Sequence, residues 1–206
     1  MGLKVDTIVG KAALLIIDAQ QGLLKPPEQL PIPIFDVPTA VDNIENVLIA
    51  ARKAGIPVIH FSELHRKEMV DFGRELEGTE DVHCVEGTDD VITIERLKPI
   101  DGEFFIGKRR YSCFLGTDLN ILLKGLKIET LIICGFLTDV CVHYTSADAH
   151  QHDYYVRLMH DCVRGSSIEA HQASLNAIEY LQTASKTNSK EIIALLEQMT
   201  ATVTHS

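Results

Sequence analysis

Three residues of this sequence have the side chains of an activated nucleophile, and each lies where a short apolar run stops: Asp18, Lys108 and Cys141. A thiol attacks as its thiolate, so a reactive cysteine needs a proton acceptor and a local positive field. Asp18 ends the run Ala12 to Ile17, Lys108 follows Phe104 to Ile106, and Cys141 closes the segment Gly-Phe-Leu-Thr-Asp-Val-Cys that begins at Gly135. Thr138 or Asp139 is a natural helix cap, which puts Cys141 in a first helical turn, where the dipole favours a thiolate. Asp18 is then the acceptor of the thiol proton and Lys108 the group that holds and orients the pair. A cysteine in an apolar strand–helix unit is ordinarily a small core hydrophobe. The turn position and the two partners set Cys141 apart. Of the other thiols, Cys134 reads as core, Cys113 and Cys162 as packing or loop positions, and Cys84, beside His83, stays open.

These residues must be held by the elements between them. Continuous apolar runs predict buried strands at Ala12 to Ile17, Val58 to Phe61, Phe104 to Ile106, Thr130 to Cys134 and Tyr154 to Met159, with Ala201 to Val203 as a short edge strand. Helical periodicity falls between them. It predicts helices over Ala40 to Ala54 (capped by Thr39), from a Thr117 or Asp118 cap to Leu126, and over Asp139 to His150, Ile168 to Ala184 and Ser189 to Met199. Alternating strands and helices with nearly all-apolar strands predict an α/β fold. The expected form is a three-layer α/β/α doubly wound domain with a mostly parallel six-stranded sheet. In a 3-2-1-4-5 strand order the first and fourth strands flank the switch point, where such sheets bind ligands, so Asp18 and Cys141 face each other. Two stretches break the pattern. Glu63 to Lys98 is charged and weakly periodic, as expected of a lid or functional loop. Lys25 to Pro38 is dense in proline and reads as an extended loop.

The composition sets the frame. A chain of 206 residues with 46% apolar residues suits one domain, residues 1–206, with an ordinary core. A net charge of −10 argues against nucleic acid as a partner. No apolar run is long enough to span a membrane, and Met1 to Gly10 lacks the basic and apolar regions of a signal peptide. Five cysteines, an odd number, fit free thiols in a reducing, cytoplasmic setting better than a disulfide framework.

Longer stretches carry a family resemblance: LLIIDAQQG (14–22), EGT (86–88), KRRYSCFLGTDL (108–119), LIICGFLTDVCVHYTSADA (131–149) and DCVRGSS (161–167). Over about residues 12 to 180 the chain resembles the isochorismatase-like cysteine hydrolases, which include nicotinamidases, N-carbamoylsarcosine amidohydrolases and biuret or ureido hydrolases. The resemblance implies a catalytic Asp18, Lys108 and Cys141, a cis peptide at Phe136–Leu137, and an oxyanion hole made by the backbone N–H groups of Leu137 and Cys141. It also implies acyl transfer on a small amide or carbamoyl compound through a thioester, in a homo-oligomer (dimer or tetramer). Gln20, Phe136 and Tyr111 are the expected substrate contacts, with Leu23, Leu24, Phe35 and Leu137 as further lining. Arg66, Arg109 and Arg110 are candidate anchors for a substrate carboxylate.

Nicotinamidases hold a metal through an Asp-x-His pair and a later His. Here Glu63-Leu64-His65 has the first spacing with Glu in place of Asp, and His83 stands in the second context, His-Cys-Val-Glu-Gly-Thr. No cofactor is required by this reading. A divalent metal on Glu63, His65 and His83 is the alternative, with a carboxylate and two imidazoles suited to Zn, Fe or Mn. His143, near Cys141, reads as structural. A binding protein of the same fold without activity is the remaining alternative. It conflicts with the joint presence of Asp18, Lys108 and Cys141, and a nucleotide binder would need a Gly-rich phosphate loop that is lacking.

Overall fold

A computed structural model describes residues 7–203. The first six residues, part of the stretch read for a leader, lie outside the described residues. The elements run β1 (Lys11–Ile17), α1 (Val37–Ala54), β2 (Val58–Glu63), β3 (Phe104–Lys108), α2 (Leu119–Leu126), β4 (Ile128–Phe136), α3 (Cys141–Gln151), β5 (Tyr155–Arg164), α4 (Ile168–Leu181), β6 (Lys186–Thr187) and α5 (Ser189–Val203). The strands form one six-stranded sheet in the order β3-β2-β1-β4-β5-β6, and every pairing is parallel.

Parallel strands need crossover helices, and these cover both faces. The alternation along β1 sorts the layers. Ala12, Leu14 and Ile16 pack against α1 and α5 through Ile44, Leu48, Ile192 and Leu196. Ala13, Leu15 and Ile17 face α2, α3 and α4 through Leu123, Val142, Leu175 and Ile178. The three-layer α/β/α expectation therefore holds, with the sheet parallel throughout.

Several boundaries differ from the sequence reading. The sixth strand is Lys186–Thr187, and Ala201 to Val203 instead end α5. The sequence through these residues continues the helix, and a two-residue strand leaves no periodicity to read. Helix α1 starts at Val37 rather than Ala40, because Pro38 is compatible with a first helical turn; Asp36, not Thr39, is its cap position, at φ 45. Helix α3 starts at Cys141 itself. Neither Thr138 nor Asp139 caps it: the Thr138 hydroxyl meets His171 Nδ1 at 2.8 Å, and Asp139 accepts hydrogen bonds from the backbone N–H and hydroxyl of Ser166. The segment 63–98 folds back over the strand ends, pinned by bridges Gln20–Thr93 and His65–Val85.

Candidate functional site

The site forms at the carboxyl ends of β1, β2, β3 and β4. Asp18, immediately after β1, adopts φ 50, a conformation uncommon for a non-glycine residue. Lys108 is the last residue of β3 and is fully buried. At the end of β4, Gly135 pairs with Ile17. Its φ is 117, and a Cβ there would lie 2.0 Å from the Ile17 carbonyl oxygen, so only glycine allows β4 to pass this close to β1. The Phe136–Leu137 peptide bond is cis. In the turn that follows, the Leu137 carbonyl accepts from the N–H groups of both Val140 and Val142. Among the described residues, the N–H groups of Leu137, in the turn before α3, and of Cys141, at its first position, donate to no backbone carbonyl.

Asp18, Lys108 and Cys141 come together as the sequence predicts, and Glu63 joins them. Lys108 Nζ lies 2.8 Å from Asp18 Oδ2 and 3.2 Å from Glu63 Oε2. It also donates to Cys141 Sγ at 3.3 Å. The thiol donates in turn to Glu63 Oε2 at 3.5 Å. One buried ammonium thus sits among two carboxylates and a thiol, a set of charges that is stable only because it is mutually paired.

The electrostatics separate the two carboxylates. Burial pushes the Asp18 carboxyl up to about 6, with Lys108 opposing and Glu63 adding to the rise. Burial also acts on Glu63, but Lys108, the His65 hydrogen bond and His83 outweigh it and hold this carboxyl below its usual range. Burial disfavours the charged Lys108, yet Asp18, Cys141 and Glu63 keep it an ammonium. Burial, Glu63 and Asp18 push the Cys141 thiol up against the pull of Lys108. The thiolate-favouring pull expected of a helix start and of Lys108 is thus outweighed in the resting site. The resting group is a thiol, and losing its proton depends on a nearby base.

Gln20, an expected substrate contact, has a further task. It lines the cavity, but its amide donates to the Glu63 carbonyl at 3.0 Å and accepts from the Glu63 N–H at 3.2 Å, so it fixes the end of β2. Phe136, Leu137, Leu23 and Tyr111 line the cavity; Leu24, Phe35 and Arg110 do not. Tyr111 also stacks on Tyr144. The cavity measures about 40 Å³, which suits a small molecule. All five cysteines are free. Cys84, which the sequence does not assign, lines the cavity, its Sγ 3.8 Å from Gln20 Oε1. Cys134 donates to the Leu15 carbonyl within the core, and His143 bonds Ser174.

A second cluster shares Glu63. The donor atoms of Glu63, His65, Glu75 and His83 lie within 4.8 Å of one another, and all four residues are buried. His65 Nε2 is 3.1 Å from Glu75 Oε2 and 3.6 Å from Glu63 Oε1. Glu75, on a turn of the lid, is a residue the sequence reading misses; its only signal is a carboxylate in a segment without periodicity. His83 Nδ1 lies 2.6 Å from the Asp81 carbonyl, which leaves Nε2 as the lone-pair donor. Among the described residues, both Glu75 oxygens and both His65 nitrogens lack hydrogen-bond partners. Two carboxylates and two imidazoles with orphaned atoms fit a divalent cation. Without one, the pull of Glu63 and Glu75 on His65 outweighs burial and raises its imidazole to about 9.

Among the described residues, no helix is long and apolar enough to cross a membrane. The isochorismatase domain matches residues 12–191. The chain is 28% identical over 198 residues to the ureidoacrylate amidohydrolase RutB of Azorhizobium caulinodans, covering 85% of this chain and 82% of that protein. The structure resembles that of a cysteine hydrolase from Pseudomonas syringae pv. phaseolicola at a TM-score of 0.83 and 26% identity, over 96% of this chain and 100% of the other. An isochorismatase-like hydrolase from Alkaliphilus metalliredigens superposes at a TM-score of 0.79 and 28% identity, over 90% of this chain and 98% of the other. With the family matching most of its length, the chain belongs to the isochorismatase family of hydrolases.

Proposed function

We propose that this hydrolase is a cysteine amidohydrolase that cleaves a C–N bond of a small amide, carbamoyl or ureido compound through a thioester on Cys141. The observation that carries the reading is the contact of Lys108 Nζ with both Asp18 Oδ2 (2.8 Å) and Cys141 Sγ (3.3 Å), with Asp18 and Cys141 both lining one cavity. The named activity of the relative RutB, on a ureido compound, agrees with it.

The choice of base follows from the carboxyl shifts. Glu63 is the hydrogen-bond acceptor of the thiol, but a carboxyl held so low binds a proton weakly. Asp18, near 6, is the better base at neutral pH. Asp18 takes the thiol proton while Lys108 stabilises the thiolate. The sulfur attacks the carbonyl carbon, and the oxygen that gains charge is received by the N–H groups of Leu137 and Cys141. Such a donor is typically worth about 10²–10³ in rate. Protonated Asp18 gives its proton to the departing ammonia or amine as the C–N bond breaks. Water then loses a proton to Asp18 and attacks the thioester, and the returning proton restores the thiol.

A second reading adds a divalent metal on Glu63, His65, Glu75 and His83, favoured by the orphaned donor atoms of that cluster. Bound there, a metal would supply Lewis-acid polarisation or a more acidic water. The residues of the first reading keep their roles beside it. Free thiols throughout support a reducing, cytoplasmic location. The family resemblance adds a homo-oligomer to this reading.

The test is ammonia release over a panel of amides and ureas. The native protein is expected to turn over at least one, and Cys141→Ala none. Turnover surviving in Cys141→Ala would sink the mechanism.

A further inference from the structure

The cavity around Cys141 is walled by carboxylates, and the cations near it are already engaged. Asp18, Glu63, Glu80 and Asp90 all line it. Lys108 is shared by Asp18 and Glu63, and Lys25 pairs with Asp90 at 2.6 Å. The arginines that the sequence offers as carboxylate anchors face other partners. Arg66 holds Asp71, Arg109 donates to the Leu64 carbonyl and to Glu86, and Arg110 donates to the backbone of Asp71 and Arg109. None of the three lines the cavity.

Glu80 is the carboxylate without a committed partner. Its side chain is 15% exposed, and its one opposite-charge neighbour among the described residues is His83, also in the lining, with Nε2 at 3.8 Å. Among the described residues it makes no hydrogen bond. Apolar residues, among them Leu23, Ile32, Leu137 and Val140, make up much of the remaining lining. A carboxylate on the substrate would meet like charge with no arginine to bind it. A hydrogen-bond donor or an ammonium would find Glu80 waiting.

Resting on the reading of the site as a cysteine amidohydrolase, we infer that the substrate is a small amide without a carboxylate, whose far end carries a cationic or hydrogen-bond-donating group received by Glu80. Glu80 is thereby a specificity-determining residue. The chain then differs in substrate charge from a relative named for ureidoacrylate, a carboxylate.

Two measurements test it, both with chelator present. The first compares hydrolysis of 3-aminopropanamide, butanamide and succinamate, matched in length and differing in end charge. The second needs no turnover. In a Cys84→Ser background, Cys141 is modified with 2-aminoethyl or 2-carboxyethyl methanethiosulfonate, each of which forms a mixed disulfide and expels methanesulfinate. Rates are followed by peptide mass spectrometry and normalised to those of 2-mercaptoethanol. The cationic reagent is expected to be favoured by about tenfold or more, and Glu80→Gln to reduce that preference by about threefold, as is added salt. An equal or anion-favouring ratio, or a ratio unmoved by Glu80→Gln, overturns the inference. Faster hydrolysis of succinamate than of 3-aminopropanamide also overturns it, while leaving the amidohydrolase reading intact. If the thiol ratio holds and no amide or urea of a broad panel is hydrolysed, the charge selection stands and the amidohydrolase reading fails.

Discussion

The Cys141 thiol donates its hydrogen bond to Glu63, with Sγ 3.5 Å from Oε2. Glu63 therefore belongs to two clusters at once, touching the nucleophile with one oxygen and His65 with the other. Its charge raises the Cys141 thiol. Removing that charge while keeping the shape, as Glu63→Gln does, is expected to lower the thiol and speed alkylation by iodoacetamide at neutral pH. A thiol pKa lower by about one gives about a tenfold larger thiolate fraction. Slower alkylation in this variant would mean that Glu63 acts chiefly by holding Lys108 in place.

The carboxyl of Asp18 sits at about 6, and it must be deprotonated to take the thiol proton. Activity, as kcat/KM, is then expected to rise with pH through about 6 and to fall about tenfold for each step of one in pH on the acid side. Asp18→Asn should remove this limb and reduce the rate by about 10²–10⁴. A pH–rate profile of both proteins checks the sign. An acid limb that persists in the variant would assign the titration to another group.

Much of the positioning is legible in residue order. Apolar runs ending in Asp18, Lys108 and near Cys141 are enough to find the strands, and the parallel-sheet rule brings their ends together. What the sequence does not carry lies in the segment between β2 and β3. Glu75 and Glu80 reach the site through turns with no periodic pattern, so nothing in their neighbours marks which carboxylates fold inward. Spacing alone reads Glu63 as a metal ligand only. Its contact with Cys141 exists because β2 runs to that residue, beside Lys108 of β3 in the register. Gln20 shows a further limit: spacing places it beside the substrate, in the cavity wall, but does not reveal that it also holds the backbone of Glu63.

The buried cluster of Glu63, His65, Glu75 and His83 leads to a binding prediction. Metal needs the neutral imidazole of His65, which is raised to about 9 by its carboxylate neighbours. A proton therefore competes at neutral pH, and affinity for zinc or manganese is expected to strengthen as pH rises toward 9. At a concentration of about 100 times Kd, such a cation would stabilise the fold by about 2.7 kcal/mol. Thermal melts with and without metal, in the native chain and in Glu75→Gln, read this directly. Identical melting temperatures with and without metal at pH 8.5 would remove the cluster as a cation site.

Two glycines give opposite expectations for the same substitution. At Gly135, φ is 117 and an added Cβ would meet the Ile17 carbonyl oxygen at 2.0 Å. The obstacle is backbone of a central strand, which cannot rotate away, so β4 must shift from β1. Gly135→Ala is expected to cost about 3 kcal/mol or more, combining an unfavourable φ with overpacking. At Gly125, within α2, nothing lies within 4 Å of an added Cβ. Gly125→Ala should stabilise by about 0.5–1 kcal/mol, because alanine favours the helix and restricts the unfolded chain. Urea denaturation of the two variants separates the effects. Because Gly135 leads directly into the Phe136–Leu137 turn, its variant should also lose hydrolysis at temperatures where it is still folded. Full activity in folded Gly135→Ala would show that the close approach of β4 to β1 is not what sets the position of Cys141.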